Sequence, residues 1–401
     1  LISETDYFLR IRGISPSKKA SRWLYLVKDE ETKVSFKADG EQIMNPVVNT
    51  DITESSIRVS WEAGAAVTHL LVHQATDEEG TNDQTITLDA TAIAAGEYTI
   101  TGLASATSYT ITIWNGLSKR GSVNAATGAA MPSADYKKEL DATETLIDGD
   151  MLAAFAAQAA ADGKTEYGVT IGIPAGATVD LHAVGTEGNS NLKIPDGMSI
   201  TFFGMAGGDA PTIKFQKNID LEGSHGYIAF ENVKVVNDGA GYFVNQSKAC
   251  TVGEFRIKDS NISGFSTAFF RLQGSDQKDI NKLILDNSIF HDMCQGYSFI
   301  HVDAGSGKGS IKNIDINNST LYNIATGGKM FIYSKNTDME SISVRNTTFY
   351  NCIGNNNYWV DFGANTYGCS GTFEFVKCLF TKTPDEVTKN NRSKNTIVFS
   401  E

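Results

Sequence analysis

The chain has 401 residues, 41% of them hydrophobic and 10% aromatic, which is ample material for one or more cores and too apolar for a disordered segment. Its 34 basic and 47 acidic residues leave a formal net charge of −13, which argues against nucleic acid or an anionic membrane as a general partner, because both are held by concentrated positive charge. No apolar run approaches the roughly 20 residues that a membrane-spanning helix requires.

Residues 1–43 read as the tail of a β domain. Tyr7-Phe8-Leu9-Arg10-Ile11-Arg12 parallels Tyr109-Thr110-Ile111-Thr112-Ile113-Trp114, and Val34-Ser35-Phe36 makes one more strand. Two strands bury no face by themselves, so these are expected to be the last strands of a preceding domain. The chain begins at Leu1 without Met or a signal-like apolar region, so any targeting segment or lipid anchor lies upstream of it, and the absence says nothing about location.

From 44 to 130 short strands alternate with turns, as in a β-sandwich. Ile57-Arg58-Val59-Ser60-Trp61 alternates, and Tyr98–Leu103 and Tyr109–Ile113 read as a pair joined by Ala104–Thr107. Trp61 on an early strand and the spacing Leu103, Thr107, Tyr109 resemble the fibronectin type III module. The resemblance implies that the Tyr109 hydroxyl bonds to upstream backbone. His69 and His73 fit the surface of this sheet.

Residues 131–147 are polar and read as a linker. Asp148-Gly149-Asp150 then precedes an Ala-rich run closed by Asp162-Gly163, the signature of a capped helix. Leu152, Phe155 and Ala159 share one face, suited to covering the open end of a repeating structure.

The repeat itself runs from Tyr227 to Phe380. A six-residue phrase, apolar at its first and last positions with a turn former third, occurs at 230–235, 257–262, 285–290, 316–321, 344–349 and 375–380. Its third residues, Asn232, Asp259, Asn287, Asn318, Asn346 and Lys377, are 27, 28, 31, 28 and 31 residues apart, a solenoid period. Apolar alternation leading into the phrases (Ile314 and Ile316, Ile342 and Val344) marks strands with one buried face. Asn and Asp suit the bend because they tolerate left-handed backbone angles. The expected fold class is all-β, a right-handed parallel β-helix over 148–401 behind the N-terminal sandwich. The five cysteines all lie in the solenoid, show no metal-site spacing, and read as buried small apolar residues.

The cap helix followed by Ile171-Gly172-Ile173-Pro174-Ala175-Gly176 and Ile194-Pro195-Asp196-Gly197-Met198-Ser199-Ile200 resembles the first coils of pectate-lyase-like β-helix proteins. A fibronectin module ahead of such a helix resembles secreted and surface proteins of bacteria that forage on polysaccharides. These resemblances imply an extracellular or outer-surface location and a polysaccharide partner. Enzymes of the superfamily cut acidic polysaccharides by Ca²⁺-assisted elimination or by hydrolysis between paired carboxylates. The Asn-Thr-Asp, Asp-Asp and Gly-His-Gly set of the hydrolases and the Trp-x-Asp-His phrase of the lyases are both missing here.

The sequence does offer a strip. Between 11 and 15 residues after each bend comes another strand, and with its apolar alternates facing inward, Arg271, Gln273, His301, Asp303, Tyr333, Lys335, Trp359 and Asp361 point outward on one face. Aromatic rings and charges in that arrangement suit sugar rings and their hydroxyls or carboxylates. The alternative is a set of ordinary solvated positions with a few packed aromatics. The expected function is polysaccharide binding without catalysis and without a cofactor; a polysaccharide lyase or hydrolase, or a structural adhesin or stalk, are the competing readings. For a lyase, Arg271 or Lys335 would be the base and Asp303 and Asp361 the Ca²⁺ ligands, but two coils of spacing put those carboxylates about 10 Å apart, too far for one ion with ligands at about 2.3–2.6 Å. His182, His225 and His291 have no partner spacing, the Asn-x-Ser/Thr triplets at Asn261, Asn318 and Asn346 coincide with turns, and Ala206-Gly207-Gly208 lacks the Lys and helix of a phosphate loop.

Overall fold

The computed structural model describes residues 6–14, 20–28, 32–37, 41–182, 191–305, 307–354, 357–383 and 391–401. The chain forms two compact units, one of residues 1–130 with 206–208 and one of the remainder.

The first unit is antiparallel. Strands Gln84–Thr87, His69–Gln74, Ser108–Asn115 and Ser118–Ala126 form a four-stranded sheet, and Ser56–Ser60 pairs with Glu97–Thr101. Ile57, Val59 and Ile100 from the pair and Leu70, Val72, Ile111 and Ile113 from the sheet share one buried cluster with Trp61. Tyr98–Leu103 and Tyr109–Ile113 are therefore not partners, contrary to expectation. The connection between them carries the chain from one sheet to the other, and the Tyr109 hydroxyl fixes that corner by accepting from the Ala104 N–H at 2.9 Å. A short helix, Ala90–Ala95, capped by Asp89, ends at Gly96, where φ is 71°. A Cβ there would sit 2.6 Å from the Trp61 carbonyl oxygen, so only glycine fits. Ahead of this body, Asp6–Phe8 pairs with Ser35–Lys37 and Arg10–Ile11 with Leu24–Tyr25, leaving Phe8, Ile11 and Leu24 exposed.

The second unit is a right-handed parallel β-helix of about eight turns. Among the described residues its three parallel sheets hold 10, 9 and 8 strands. Each coil contributes one strand to the first sheet, bends, contributes one to the second, and after a longer connection one to the third. The segment 131–147 is part of this body and not a linker. Tyr136–Glu139 pairs with Tyr167–Ile173 in the first sheet, and Leu146–Ile147 with Thr178–Leu181 in the second. Its charged Tyr-Lys-Lys-Glu strand has little apolar alternation to reveal it. Helix Gly149–Ala161 follows, with the Asp148 carboxylate accepting from the Met151 N–H and with Leu152 and Ala159 in the solenoid core.

All six predicted bend residues, Lys377 at 52° among them, lie between the first and second sheets with left-handed backbone, φ running from 46° at Asn287 to 54° at Asn232. Beside them runs a buried hydroxyl ladder. Ser260, Ser288, Ser319 and Thr347 each donate to the carbonyl two residues back, at 2.7–2.8 Å. The Ser260 and Ser288 N–H groups donate to the hydroxyl of the following coil. Buried polar groups at the sharpest bend are thus satisfied coil to coil. Inside, Phe215, Phe243, Phe269, Phe299 and Phe331 form a continuous aromatic column with ring centroids 4.7–5.2 Å apart. Cys250, Cys294, Cys352 and Cys369 are buried thiols, and burial pushes the Cys250, Cys352 and Cys369 groups up to about 12, which leaves them inert as nucleophiles.

Two substitutions test this framework. Ile316 is 1% exposed and registers between Leu285 and Val344, so Ile316→Asp is expected to destabilise by several kcal/mol. Lys377 is the one bend residue without a short amide or carboxylate, and Lys377→Asn is expected to stabilise by up to about 1 kcal/mol. Chemical denaturation reads both, and a Lys377→Asn protein less stable than the parent contradicts the bend argument.

Candidate functional site

The third sheet carries the predicted strip. Its strands are short, and parallel pairing brings Asn245, Arg271, His301, Tyr333, Asp361 and Arg392 into one row across six coils. The adjacent outward row holds Gln273, Asp303 and Lys335, whose N–H groups extend the ladder by donating to Gln246, Leu272 and Val302. Seven of the eight expected residues therefore lie on this face, but the expected exposure fails for three of them: Arg271, His301 and Asp361 are buried under their neighbours, at 9%, 8% and 2%.

Trp359 does not. It is 4% exposed and packs in the core against Phe331, Phe349, Phe375 and Phe380. It occupies the coil position of Phe269, Phe299 and Phe331, one residue before the inward Val360. Strict alternation fails there because the chain turns a corner as it enters the strand, so two consecutive residues face inward.

Arg271 organises the strip. Its guanidinium donates to Asp303 with two parallel bonds, Nε to Oδ1 at 3.2 Å and Nη2 to Oδ2 at 2.7 Å. It lies 4.0 Å over the Tyr297 ring, and Nη1 reaches the Tyr242 hydroxyl at 3.4 Å. A bidentate pair combined with a cation–π contact fixes a planar cation in one orientation. The aromatic chain continues from Tyr297 to His301 at 4.7 Å between ring centroids and on to Tyr333 at 4.9 Å. Farther along, Arg392 makes the same bidentate contact with Asp361, both bonds at 2.7 Å, and the Gly363 N–H also donates to that carboxylate. Gln273 donates to Asn245 at 2.9 Å. Lys335 is exposed.

His301 is held neutral. Burial pulls its imidazole down to about 4, against the opposing pull of Asp303, whose carboxylate lies 3.6 Å from Nε2. The positive charges of Arg271 and Lys329 act in the same direction as burial. Tyr242, Asn245, Tyr297 and Arg392 were not read from the sequence. Arg392 was within reach, since it sits one period, 31 residues, beyond Asp361. Tyr297 was not, because it lies in the connection before its strand, where no alternation marks direction.

The other candidates fall elsewhere. His225 is buried with its ring nitrogens 2.8 and 3.2 Å from the carbonyl oxygens of Met198 and Leu221. His291 stacks on Tyr322 on the second sheet, and His73 bonds to Asp83 in the first unit. Among the described residues no group of three or more His, Cys, Asp or Glu could hold a metal ion, and no helix is long and apolar enough to cross a membrane.

No family model and no curated protein matches the chain in sequence. A Family 28 exopolygalacturonase of Yersinia enterocolitica is among the solved structures it resembles, at 11% identity over 88% of this chain and 99% of that one, with a TM-score of 0.18. That score carries no argument about chemistry, and the fold rests on the sheet topology of the chain itself.

The state of His301 has a measurable consequence. Its folded value lies below the ordinary 6.5, so between about pH 6.5 and 4 the unfolded chain binds a proton that the folded chain refuses. Stability is therefore lost as pH falls through that window. Denaturation of the parent and of His301→Gln at pH 7 and pH 4.5 is expected to show a shallower loss in the variant. Equal slopes show that the imidazole is not held neutral.

Proposed function

We propose that this chain is a polysaccharide-binding protein and that the two outward rows of the third sheet are its binding face. The observation that carries the reading is the continuous run Arg271, Tyr297, His301, Tyr333, in which the half-buried Tyr297 and Tyr333 rings are held in place by the buried Arg271 and His301. A polymer laid along that axis meets a comparable group at each coil, about 4.8 Å on. Such a face supplies apolar contact to sugar rings and polar bonds to their substituents while losing little side-chain entropy, because its long side chains are already ordered.

The geometry favours binding over cleavage. Asp303 and Asp361 are each engaged by two nitrogens of a separate arginine. A carboxylate in that state has its oxygens occupied, and freeing Asp303 leaves the largely buried Arg271 cation unpaired at a cost of several kcal/mol. The same pairing makes the two a poor donor set for Ca²⁺, which takes six to eight oxygens. Arg271, bonded to Asp303 and covered by Tyr297, is equally ill placed to take a proton from a substrate.

The antiparallel unit supports the accompanying reading of residues 44–130 as a fibronectin type III-like module. The Tyr109 corner bond, the crossing from one sheet to the other at Ala104–Thr107 and buried Trp61 are the features that such a module uses for stability. A module of this kind preceding a binding solenoid in the sequence suits a protein displayed outside the cell.

A polysaccharide array tests the proposal. The parent chain is expected to retain at least one acidic or neutral polysaccharide, and Tyr333→Ala to weaken that binding about tenfold, equivalent to about 1.4 kcal/mol. Absence of binding to any polysaccharide, or undiminished binding by both Tyr333→Ala and Tyr297→Ala, favours a purely structural stalk.

A further inference from the structure

The first sheet, on a different face of the solenoid, carries a groove of about 500 Å³ lined by Lys282, Ile284, Asp315, Ser341, Ser343 and Arg345. Its origin is a change in side-chain length along two outward rows. One reads Glu254, Lys282, Asn313, Ser341 and the other Arg256, Ile284, Asp315, Ser343, Glu374. The coil at 341–345 thus places two serines where the neighbouring coils carry longer groups, and the sheet surface dips there between walls of charged side chains.

The polar groups of the groove are already arranged. Lys282 Nζ lies 2.6 Å from Asp315 Oδ2. The Arg345 guanidinium pairs with Glu374, and its Nε also donates to the Ser343 hydroxyl at 3.0 Å. Ser341 donates to Asn313 at 2.7 Å. Each cation in the walls is matched by a carboxylate, and Asp286 adds a further negative group. A phosphate, sulfate or uronate would meet neutralised cations and an unmatched acid. A metal ion would have to compete with ammonium and guanidinium for the same oxygens. A neutral polyol meets no such conflict. Its hydroxyls both donate and accept, and serine hydroxyls, carboxylate oxygens and amide groups answer both needs, while Ile284 offers an apolar patch for ring C–H groups. The volume lies in the range of small-ligand sites, about 300–1,000 Å³.

We infer that this groove is a second carbohydrate site, one that takes a neutral sugar unit and acts independently of the third-sheet strip. The two faces would give one solenoid two points of attachment to a glycan surface, and linking two weak sites raises overall avidity by about 10²–10⁴ where both can engage.

Saturation-transfer NMR on the full chain with maltose, cellobiose and lactose tests the inference. At least one disaccharide is expected to receive saturation, Ser343→Tyr, which fills the groove floor from a half-buried outward position on its strand, to abolish it, and Tyr297→Ala to leave it intact. Asp315→Asn, which alters chemistry without adding bulk, is expected to reduce it. No transfer to any of the three overturns the inference. Transfer that survives Ser343→Tyr and disappears in Tyr297→Ala overturns it as well and assigns the sugar to the strip. Since the strip is read out by the polysaccharide array and by Tyr333→Ala, either site can fail without the other.

Discussion

Everything in the solenoid depends on each coil returning to the same height and direction, and the left-handed bend between the first and second sheets enforces this. A residue with φ near +50° turns the chain sharply, and L-residues with a Cβ adopt that angle at a cost of about 1–2 kcal/mol unless the side chain compensates. Asn287 does so by donating to Asp259 of the preceding coil at 2.6 Å. The serine and threonine hydroxyls one residue later satisfy the polar backbone that the bend would otherwise strand. Because the corner has the same shape each time, the strands on either side pair in register, and the Phe column inside stacks ring on ring.

The outward faces follow from the same constraint. Parallel pairing without slippage turns positions 22–34 residues apart in sequence into neighbours about 4.8 Å apart, so a sequence that varies one outward position per coil writes a row of its choosing on the surface. On the third sheet the row is planar and charged, with Arg271 and Arg392 each locked to a carboxylate. On the first sheet the rows are polar and interrupted by two serines. The rigid core makes such rows reliable, since a side chain held by its own coil and by the coils on both sides needs little further ordering when a ligand arrives.

Much of this was legible in the sequence, and the failures have physical causes. Asn232, Asp259, Asn287, Asn318 and Asn346 announced the bends because few other residues take that backbone angle cheaply, and the period fixed by them placed the third-sheet row. Alternation then assigned Arg271, His301, Tyr333 and Asp361 to the face away from the core, where they lie in one row, but it did not show that neighbouring side chains bury Arg271, His301 and Asp361 there. It misplaced Trp359, because a corner suspends the two-residue rule for one step and only the neighbouring coils show where that step falls. The coil containing Tyr136–Glu139 was mistaken for a linker, since its strand borrows its stability from pairing with Tyr167–Ile173 more than from its own side chains. Tyr98–Leu103 and Tyr109–Ile113 were wrongly paired, because nearness in sequence favours a hairpin and only the Tyr109 corner shows the chain crossing between sheets. Groups outside the strands, Tyr297 above all, carried no periodic signal.

The central claim is that the Arg271 to Tyr333 face is where a polysaccharide lies. Hydroxyl-radical footprinting of the full chain, alone and with a polysaccharide that it retains, measures this directly because tyrosine rings report their own coverage. The account predicts that oxidation of Tyr242, Tyr297 and Tyr333 falls when the polysaccharide is present, while Tyr322 and Tyr350, on the second sheet, react unchanged. Protection of Tyr322 and Tyr350 with Tyr297 and Tyr333 unaffected would contradict it.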